Sequence, residues 1–367
     1  MGIRTVKTYN SRDRRARRGG FLFKLMAVLS AAALMLSYLS MFFNPVEFPA
    51  LLFFGMYYVP LLLLNLLLLV VALLRMRLSF FIPLVALVPS LFIIDRFVKS
   101  GSDEEEALSG GIKVLTYNLG RYDGGGRKVT SNESVGGIRR FMVEQDADIV
   151  CLQEFAVKDT SSLGLYLPEY PYMARHLFNG KRAFGNVTLS KYPIVRSETM
   201  AFAGSRNLSL ITDIDIDGRT VRVYNCHLES YSISFTALVK RLFHKDGFTD
   251  EVVQVHGRMR EATLRRAEQV ASLLQSESDS RYPNIVCGDF NDTPVSYTYQ
   301  RLVKTKKDSF VEAGAGFGGT YSLLWPMLRL DYILFPREYV SGRHETFRVP
   351  WSDHYPVSVN IYFKTAL

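Results

Sequence analysis

The chain has 367 residues, 48% of them hydrophobic, and carries 44 Lys/Arg against 35 Asp/Glu, a formal net charge of +9. Both excesses sit at one end. Residues 1–100 hold 12 Lys/Arg, 3 Asp/Glu and the long apolar runs, whereas residues 101–367 hold 32 residues of each sign and are neutral overall. The basic balance therefore does not describe a duplex-binding surface on the larger part, because duplex binders neutralise many phosphates with Lys and Arg. The three cysteines, Cys151, Cys226 and Cys287, are odd in number and lack zinc spacing, so they are expected as packed core thiols.

Residues 1–20 contain Arg4, Lys7, Arg12, Arg14, Arg15, Arg17 and Arg18 with Asp13 as the single acid. They read as a disordered, basic cytoplasmic tail. A membrane domain is expected over residues 21–98, with transmembrane helices at about 21–43, 51–74 and 78–95. Ala31-Ala32-Ala33 could mimic a signal-peptide cleavage site, but the apolar run continues beyond it, which favours an uncleaved anchor. Pro60 and Asn65 are tolerable inside a helical bundle, and Pro83 and Pro89 interrupt the third stretch. The loop Asn44-Pro45-Val46-Glu47 has no Lys or Arg, whereas Arg75-Met76-Arg77 is a tight basic turn. The positive-inside rule then keeps the N-terminus cytoplasmic and, with three crossings, puts everything after Asp95 outside, in the periplasm of a bacterium; losing one span would reverse that side. Residues 99–111 read as a polar linker with a solvated acidic run.

From residue 112 to the end the pattern changes to short strands and helices. Strand-like runs fall at 112–117, 148–152, 187–190, 208–216, 221–226, 285–287, 332–335 and 357–363, and helical patterns at 135–145 and 259–277. Asp217-Gly218 between two alternating runs is a hairpin turn, and hairpins mixed with strand–helix units imply mixed sheets. The polar-aromatic segment 230–258 is expected to hold an amphipathic helix near 234–243, either covering the core or acting as a lid toward membrane or substrate.

Several runs end in polar residues. The sequence NIVCGDFNDTP places Asp289 and Asn291 just past an apolar run, two residues apart and so on one side of an extended chain. Taken alone this could be an ordinary Asx turn. Asn118 ends T-Y-N, Glu154 ends C-L-Q-E, His227 lies in N-C-H-L, Asp331 opens D-Y-I-L, and Asp353 and His354 lie in S-D-H-Y-P. Each alone has a bland reading as a solvated or satisfied side chain. Convergence of all of them in one cleft is the alternative.

In this order and spacing the motifs resemble the endonuclease/exonuclease/phosphatase superfamily, which includes DNase I-like nucleases, neutral sphingomyelinases and inositol-polyphosphate phosphatases. The resemblance covers about residues 112–363. It implies an α/β (α+β) fold, a four-layer sandwich of two mixed β-sheets flanked by helices, and Mg²⁺-dependent hydrolysis of a phosphate ester, with Mn²⁺ as an alternative ion. Magnesium takes oxygen ligands and one or two carboxylates, so Glu154 is the first choice of ligand, helped by Asn118 and Asp353. His354 is the candidate base, with Asp331 by resemblance fixing its tautomer and Asp289 aligning the water; Asp289 and His354 could exchange roles. Asn291 and His227 would bind the non-bridging phosphate oxygens, His227 adding positive charge when protonated.

The expected partners are the lipid bilayer and a phosphate-ester substrate, with a phospholipid or small phosphodiester placed ahead of nucleic acid because the catalytic part is neutral and tethered to a membrane. Lys304, Lys306 and Lys307 could supply a local basic groove for a nuclease. A catalytically silent receptor or scaffold is the reading from another class.

Overall fold

The computed structural model describes residues 11–101, 111–122, 131–157, 169–179, 183–231 and 248–363. The helix expected near 234–243 and most of the linker lie outside the described residues.

The first helix, Ser11–Leu39, begins inside the basic tail, so residues 11–20 are helical where disorder was expected. Arginine is a good helix former, and the apolar run beyond supplies the nucleus from which the helix extends. Its Gly20–Leu39 part is long and apolar enough to cross a membrane. The second apolar stretch is two helices, Pro49–Met56 and Tyr58–Leu74, bent by 61°. Pro60 accounts for the break, since its ring clashes with the carbonyl four residues earlier, that of Met56. The third stretch is a 3-10 turn (Leu78–Phe80), a short helix (Phe81–Leu87) and further 3-10 turns (Val88–Phe92, Ile94–Arg96). Among the described residues one helix has the length and hydropathy to cross a membrane, or two if the bent pair is one span, and the third expected stretch is a shorter apolar segment.

These segments form a bundle with an apolar outer surface and a few polar pairs buried among apolar side chains such as Leu34, Leu68 and Ala72. Asn65 Nδ2 donates to Ser30 Oγ at 2.8 Å, and the Tyr38 and Ser90 hydroxyls lie 2.5 Å apart. Phe21, Leu22, Leu29, Leu67, Leu74 and Leu78 are exposed. All three segments run between the same two ends. Phe23, Leu68 and Phe80 pack together at one end, where Arg77 lies over the Phe23 ring. Tyr38, Tyr58 and Ile93 pack at the other, against Val295 of the larger part.

The larger part contains most of the strands: β1 (Val98–Ser100), β2 (Gly111–Asn118), β3 (Ile149–Val157), β4 (Tyr172–Phe178), β5 (Ala183–Ser190), β6 (Ile194–Ala201) and β7 (Leu208–Ile216). They continue as β8 (Arg219–His227), β9 (Asn284–Asp289), β10 (Lys306–Asp308), β11 (Ala315–Phe317), β12 (Asp331–Pro336), β13 (Val340–Thr346) and β14 (Val357–Tyr362). One six-stranded sheet has the order β13-β14-β2-β3-β5-β4, the other β10-β12-β9-β8-β7-β6, and β1 pairs with β11 apart from both. The pairs β2–β3 and β8–β9 are parallel and the rest antiparallel, so both large sheets are mixed.

Alternation explains the layers. Ile112, Val114, Ile149, Cys151, Val223, Ile285, Cys287 and Ile333 face the space between the sheets. Their neighbours Leu115, Val150 and Leu152 pack outward with Ile138 and Phe141 of the Ser131–Gln145 helix, and Tyr224, Val286 and Leu334 with Val270 and Leu273 of the Phe248–Ser278 helix. Strands buried on both faces read in sequence as continuous apolar runs, which is why they were visible there. All three cysteines are buried and free. At Gly288, with φ of +129°, a Cβ would lie 2.0 Å from the Cys226 carbonyl oxygen, so the β8–β9 approach that positions Asp289 requires glycine.

His344 of β13 is buried, with Nδ1 2.9 Å from Ser309 Oγ, near the buried Asp308–Arg329 ion pair. Burial pushes its imidazole down to about 3, against the opposing pull of Asp308. In the unfolded chain it titrates near about 6.5. A group with a depressed histidine pKa binds more protons unfolded, so stability is full above the unfolded value and is lost as pH falls toward the folded one. Thermal unfolding followed by circular dichroism is expected to show Tm falling from about pH 6.5 toward pH 3, with a shallower slope in His344→Gln.

Candidate active site

Three adjacent strands carry the centre of the site. In the pairing register His227 lies opposite Asp289 and Asp289 opposite Asp331, so the three side chains emerge level on the face that fronts the other sheet. Across the gap, Asn118 ends β2. Below this level the inward column changes from Ile112 and Val114 through Thr116 to Asn118, and from Val221 and Val223 through Asn225 to His227. Deep positions are apolar and those near the strand ends polar. Gln153 Nε2 donates to Asn225 Oδ1 at 2.8 Å and Asn225 Nδ2 to the Val187 carbonyl at 2.9 Å, which ties the sheets together beneath the site.

Glu154 arrives by a different device. The run that reads as ending near residue 152 continues to Val157, with a register shift between Leu152 and Phe155. Glu154 sits in that irregularity with φ of +50°. Such bulges re-aim a side chain, and a non-glycine residue held at positive φ is strained backbone of the kind that clusters at functional sites. Asn291, at φ of +51°, is the second such residue of the site.

His354 Nδ1 is 2.9 Å from Asp331 Oδ2, which leaves Nε2 facing Asp289 Oδ2 at 3.7 Å. Asn118 Nδ2 and Asn291 Nδ2 donate to that same Asp289 oxygen at 2.9 and 3.1 Å, and the Asn291 backbone N–H donates to Oδ1 at 2.8 Å. His227 Nε2 lies 3.8 Å from both Asp289 Oδ2 and Glu154 Oε1; it is buried and has no hydrogen-bond partner among the described residues. Ser352 Oγ donates to the Asn118 carbonyl at 2.8 Å and so seats the loop that presents Asp353 and His354.

Asn118, Glu154, His227, Asp289, Asn291, Asp353 and His354 thus line one cavity, and Asp331 stands behind His354. All eight residues singled out in the sequence are brought together. Sequence reasoning missed Arg121, whose Nε pairs with Glu154 Oε2 at 3.0 Å, and Tyr321, which forms a β-bridge to His354 and places its ring 5.3 Å away. Gly-Arg-Tyr directly after the Asn118 run was the available signal for the first; nothing local marked the second.

Burial disfavours the cation of His354, but the carboxylates of Asp331 and Asp289 outweigh it and hold the imidazole well above its ordinary range. Burial raises Asp289, the charge of His354 opposes this, and Asp331 adds to it. Burial pushes His227 below the ordinary imidazole range despite the pull of Asp289. This shift favours the uncharged form of the His227 imidazole.

A profile of the Endonuclease/Exonuclease/phosphatase family matches residues 115–354. The chain belongs to this family. Its members are metal-dependent hydrolases acting on phosphoesters. A separate domain of unknown function matches residues 20–97. No curated protein matches the chain. Among solved structures, the endonuclease/exonuclease/phosphatase of Beutenbergia cavernae superposes with a TM-score of 0.52 at 18% identity, over 69% of this chain and 72% of that one. The endonuclease/exonuclease/phosphatase of Bacteroides vulgatus gives 0.51 at 18%, over 70% and 100%. The catalytic domain of human Nocturnin, with a bound sulfate anion, gives 0.50 at 18%, over 69% and 94%. At such identity these likenesses establish the fold, two mixed sheets flanked by helices.

The donor set fits a hard divalent cation: Glu154, Asn118 and Asp353 offer only oxygen from carboxylates and an amide. Asp289, Asp331 and His354 also bring one donor atom each within 4.8 Å of one another. In that trio, however, the 2.9 Å contact between His354 Nδ1 and Asp331 is a hydrogen bond, so it is better described as a histidine–carboxylate pair beside a second carboxylate. Asp331→Asn is expected to lower kcat by about 10²- to 10⁴-fold, the range of a lost acid–base contribution, with circular dichroism and Tm close to wild type. Equal kcat in the two proteins would remove Asp331 from the reaction.

Proposed function

We propose that this protein is a membrane-anchored, divalent-metal-dependent phosphoesterase that hydrolyses its substrate by in-line attack of water. The observation that carries this reading is the His354 Nε2 to Asp289 Oδ2 gap of 3.7 Å, in one cavity with Glu154 and Asn118. Phosphate esters resist hydrolysis because the nucleophile must approach an anion, so placement and charge neutralisation do most of the work. Asp289 and His354 orient a water beside them. As its oxygen bonds to phosphorus the water gives its proton to the Asp289 carboxylate, and the leaving oxygen, on the far side of the phosphorus, takes a proton from solvent as its bond breaks. Asp331, accepting from Nδ1, keeps the imidazole in one tautomer and stabilises its cation. His227 Nε2 would donate to a non-bridging oxygen. Asn291, whose amide Nδ2 donates to Asp289 and the Leu228 carbonyl, holds Asp289 in place, and Arg121 adds positive charge at the rim. Glu154, helped by Asn118 and Asp353, would hold a divalent cation, which would supply charge neutralisation on the phosphate; Mg²⁺ suits this donor set, with Mn²⁺ second.

Anchoring is supported by the apolar outer surface of the bundle, where Leu67, Leu74 and Phe21 are exposed while Asn65 and Ser30 pair inside. Arg75 and Arg77 lie at the end of the bundle where the basic tail enters, and the catalytic part lies at the other. This supports a cytoplasmic N-terminus with the catalytic part across the bilayer, the third apolar segment covering the length of the bundle in 3-10 and α turns. A C-terminal fusion to a reporter active only outside the cytoplasm is expected to be active; a silent, stably expressed fusion contradicts this orientation.

A lipid or small phosphodiester is favoured over nucleic acid. Two of the three lysines considered for a nuclease groove are already engaged, Lys306 buried in an ion pair with Glu277 and Lys307 paired with Glu312, while Lys304 is exposed. Purified full-length protein is expected to release p-nitrophenolate from bis-p-nitrophenyl phosphate with Mg²⁺ and to stop in excess chelator. His354→Ala and Asp289→Ala are expected to lose at least about 10²-fold of that turnover. Wild-type protein without turnover would leave the silent-scaffold reading. Plasmid nicking that outpaces hydrolysis of liposomal phospholipid would leave the nuclease.

A further inference from the structure

The cavity holding the polar cluster measures about 820 Å³, more than a phosphate group and a water fill. Its second half is apolar. Part of that half comes from the Leu324, Met327 and Leu328 loop before β12, and part from Met56, Val59 and Pro60 at the break in the N-terminal bundle. The family profile does not extend to these bundle residues, which fall in the separate match over 20–97.

The break is built into the larger part, not merely near it. The Pro49–Met56 helix approaches so closely at Gly55 that a Cβ there would lie 2.3 Å from Ser40 Oγ and 3.3 Å from the Val295 carbonyl oxygen. Tyr57 Oη lies 2.7 Å from His256 Nε2 of the Phe248–Ser278 helix. Arg96 Nη1 donates to the Pro294 carbonyl at 3.0 Å, and the Gly318 N–H to the Phe97 carbonyl at 3.0 Å. Pro294 and Val295 directly follow the loop that carries Asp289 and Asn291. The bundle therefore grips the catalytic loop from behind while its break lines the cavity in front.

This apolar wall is also continuous with the outer surface of the bundle. Tyr57 and Pro60 are exposed at the break, and Leu63, Leu64 and Leu67 continue the exposed apolar face along the Tyr58–Leu74 helix. On the facing loop, Leu323, Trp325 and Met327 are exposed as well. A path lined by hydrocarbon thus runs from the face that would meet acyl chains to the side chains that would meet a phosphate.

We infer that the N-terminal bundle forms half of the substrate site: the break at Met56–Pro60, with Leu324, Met327 and Leu328, binds the hydrocarbon chain of an amphiphilic phosphate ester that slides in from the bilayer. This rests on the phosphoesterase reading of the same cavity. The polar half fixes the phosphate, and the apolar half selects esters by chain length.

The test uses full-length protein and p-nitrophenyl alkyl phosphates from ethyl to decyl, kept below their aggregation limits. Since each buried methylene contributes several-fold to binding, kcat/KM is expected to rise by at least about tenfold over the series. Val59→Asp and Met327→Asp are expected to collapse the decyl-to-ethyl ratio toward one. A second readout needs no turnover: a long-chain alkyl phosphate with a terminal diazirine, photolysed with protein in nanodiscs, is expected to label the peptides containing residues 56–60 or 324–328. Turnover independent of chain length, or labelling confined to the outer face around Leu63–Leu67, overturns the inference while leaving the hydrolase standing. Labelling at the break with no turnover of any ester retains the chain site and sinks the hydrolase.

Discussion

The register of three strands governs everything else in the catalytic part. With β8, β9 and β12 paired so that His227, Asp289 and Asp331 face one another across the ladder, three polar side chains stand at one level on one face. A slip of one residue in any pair would turn a strand's inward column outward, because side chains alternate with a period of two. The residues beneath make such a slip costly. Cys287 and Ile333 fill the space between the sheets, while Val286 and Leu334 pack under the outer helices. The apolar core therefore sets the register, and the register sets the chemistry. Gly288 belongs to the same constraint, since the strand bearing Asp289 can come this close to Cys226 only without a Cβ.

Charge is concentrated in a place from which water is largely removed. Asp289 and Asp331 are both almost fully buried, and the imidazole of His354 lies between them. Two carboxylates this close are tolerable because a protonated histidine and the N–H groups of Asn118 and Asn291 share the burden. His227 belongs to the same layer but is pushed toward its neutral form, and its buried Nε2, between Glu154 and Asp289, has no hydrogen-bond partner among the described residues. An unpaired buried polar atom is costly unless a ligand completes it, so the site is arranged around something it binds.

The N-terminal bundle follows the opposite packing logic. Among the described residues Ser30, Ser37, Asn65 and Ser90 are buried while many leucines, Leu63, Leu67 and Leu74 among them, are exposed, which is the arrangement for a surrounding solvent that is itself hydrocarbon. Pro60 supplies the irregularity, and in place of a straight helix it gives a bent one whose elbow meets the catalytic loop. Non-helical backbone at such a position is tolerable where it is covered by protein or lines a cavity, and this break does both.

The amino-acid sequence by itself determined the mixed-sheet sandwich, the apolar N-terminal end and the identity of the polar residues. Strands buried on both faces leave uninterrupted runs such as Ile285–Cys287, and the site residues terminate those runs. It did not reveal β4, β6 or β13, whose partly exposed faces give weak patterns. Nor did it reveal the bulge that turns Glu154 toward the cavity, the contact of Arg121 with that carboxylate, or the burial that pushes the His227 imidazole toward its uncharged form. Only the tertiary structure decided those, because each depends on what an unrelated stretch of chain places nearby. The same is true of the elbow at Tyr57: local chemistry requires a break near Pro60, but only packing against Val295 and His256 decides that the break faces the cavity.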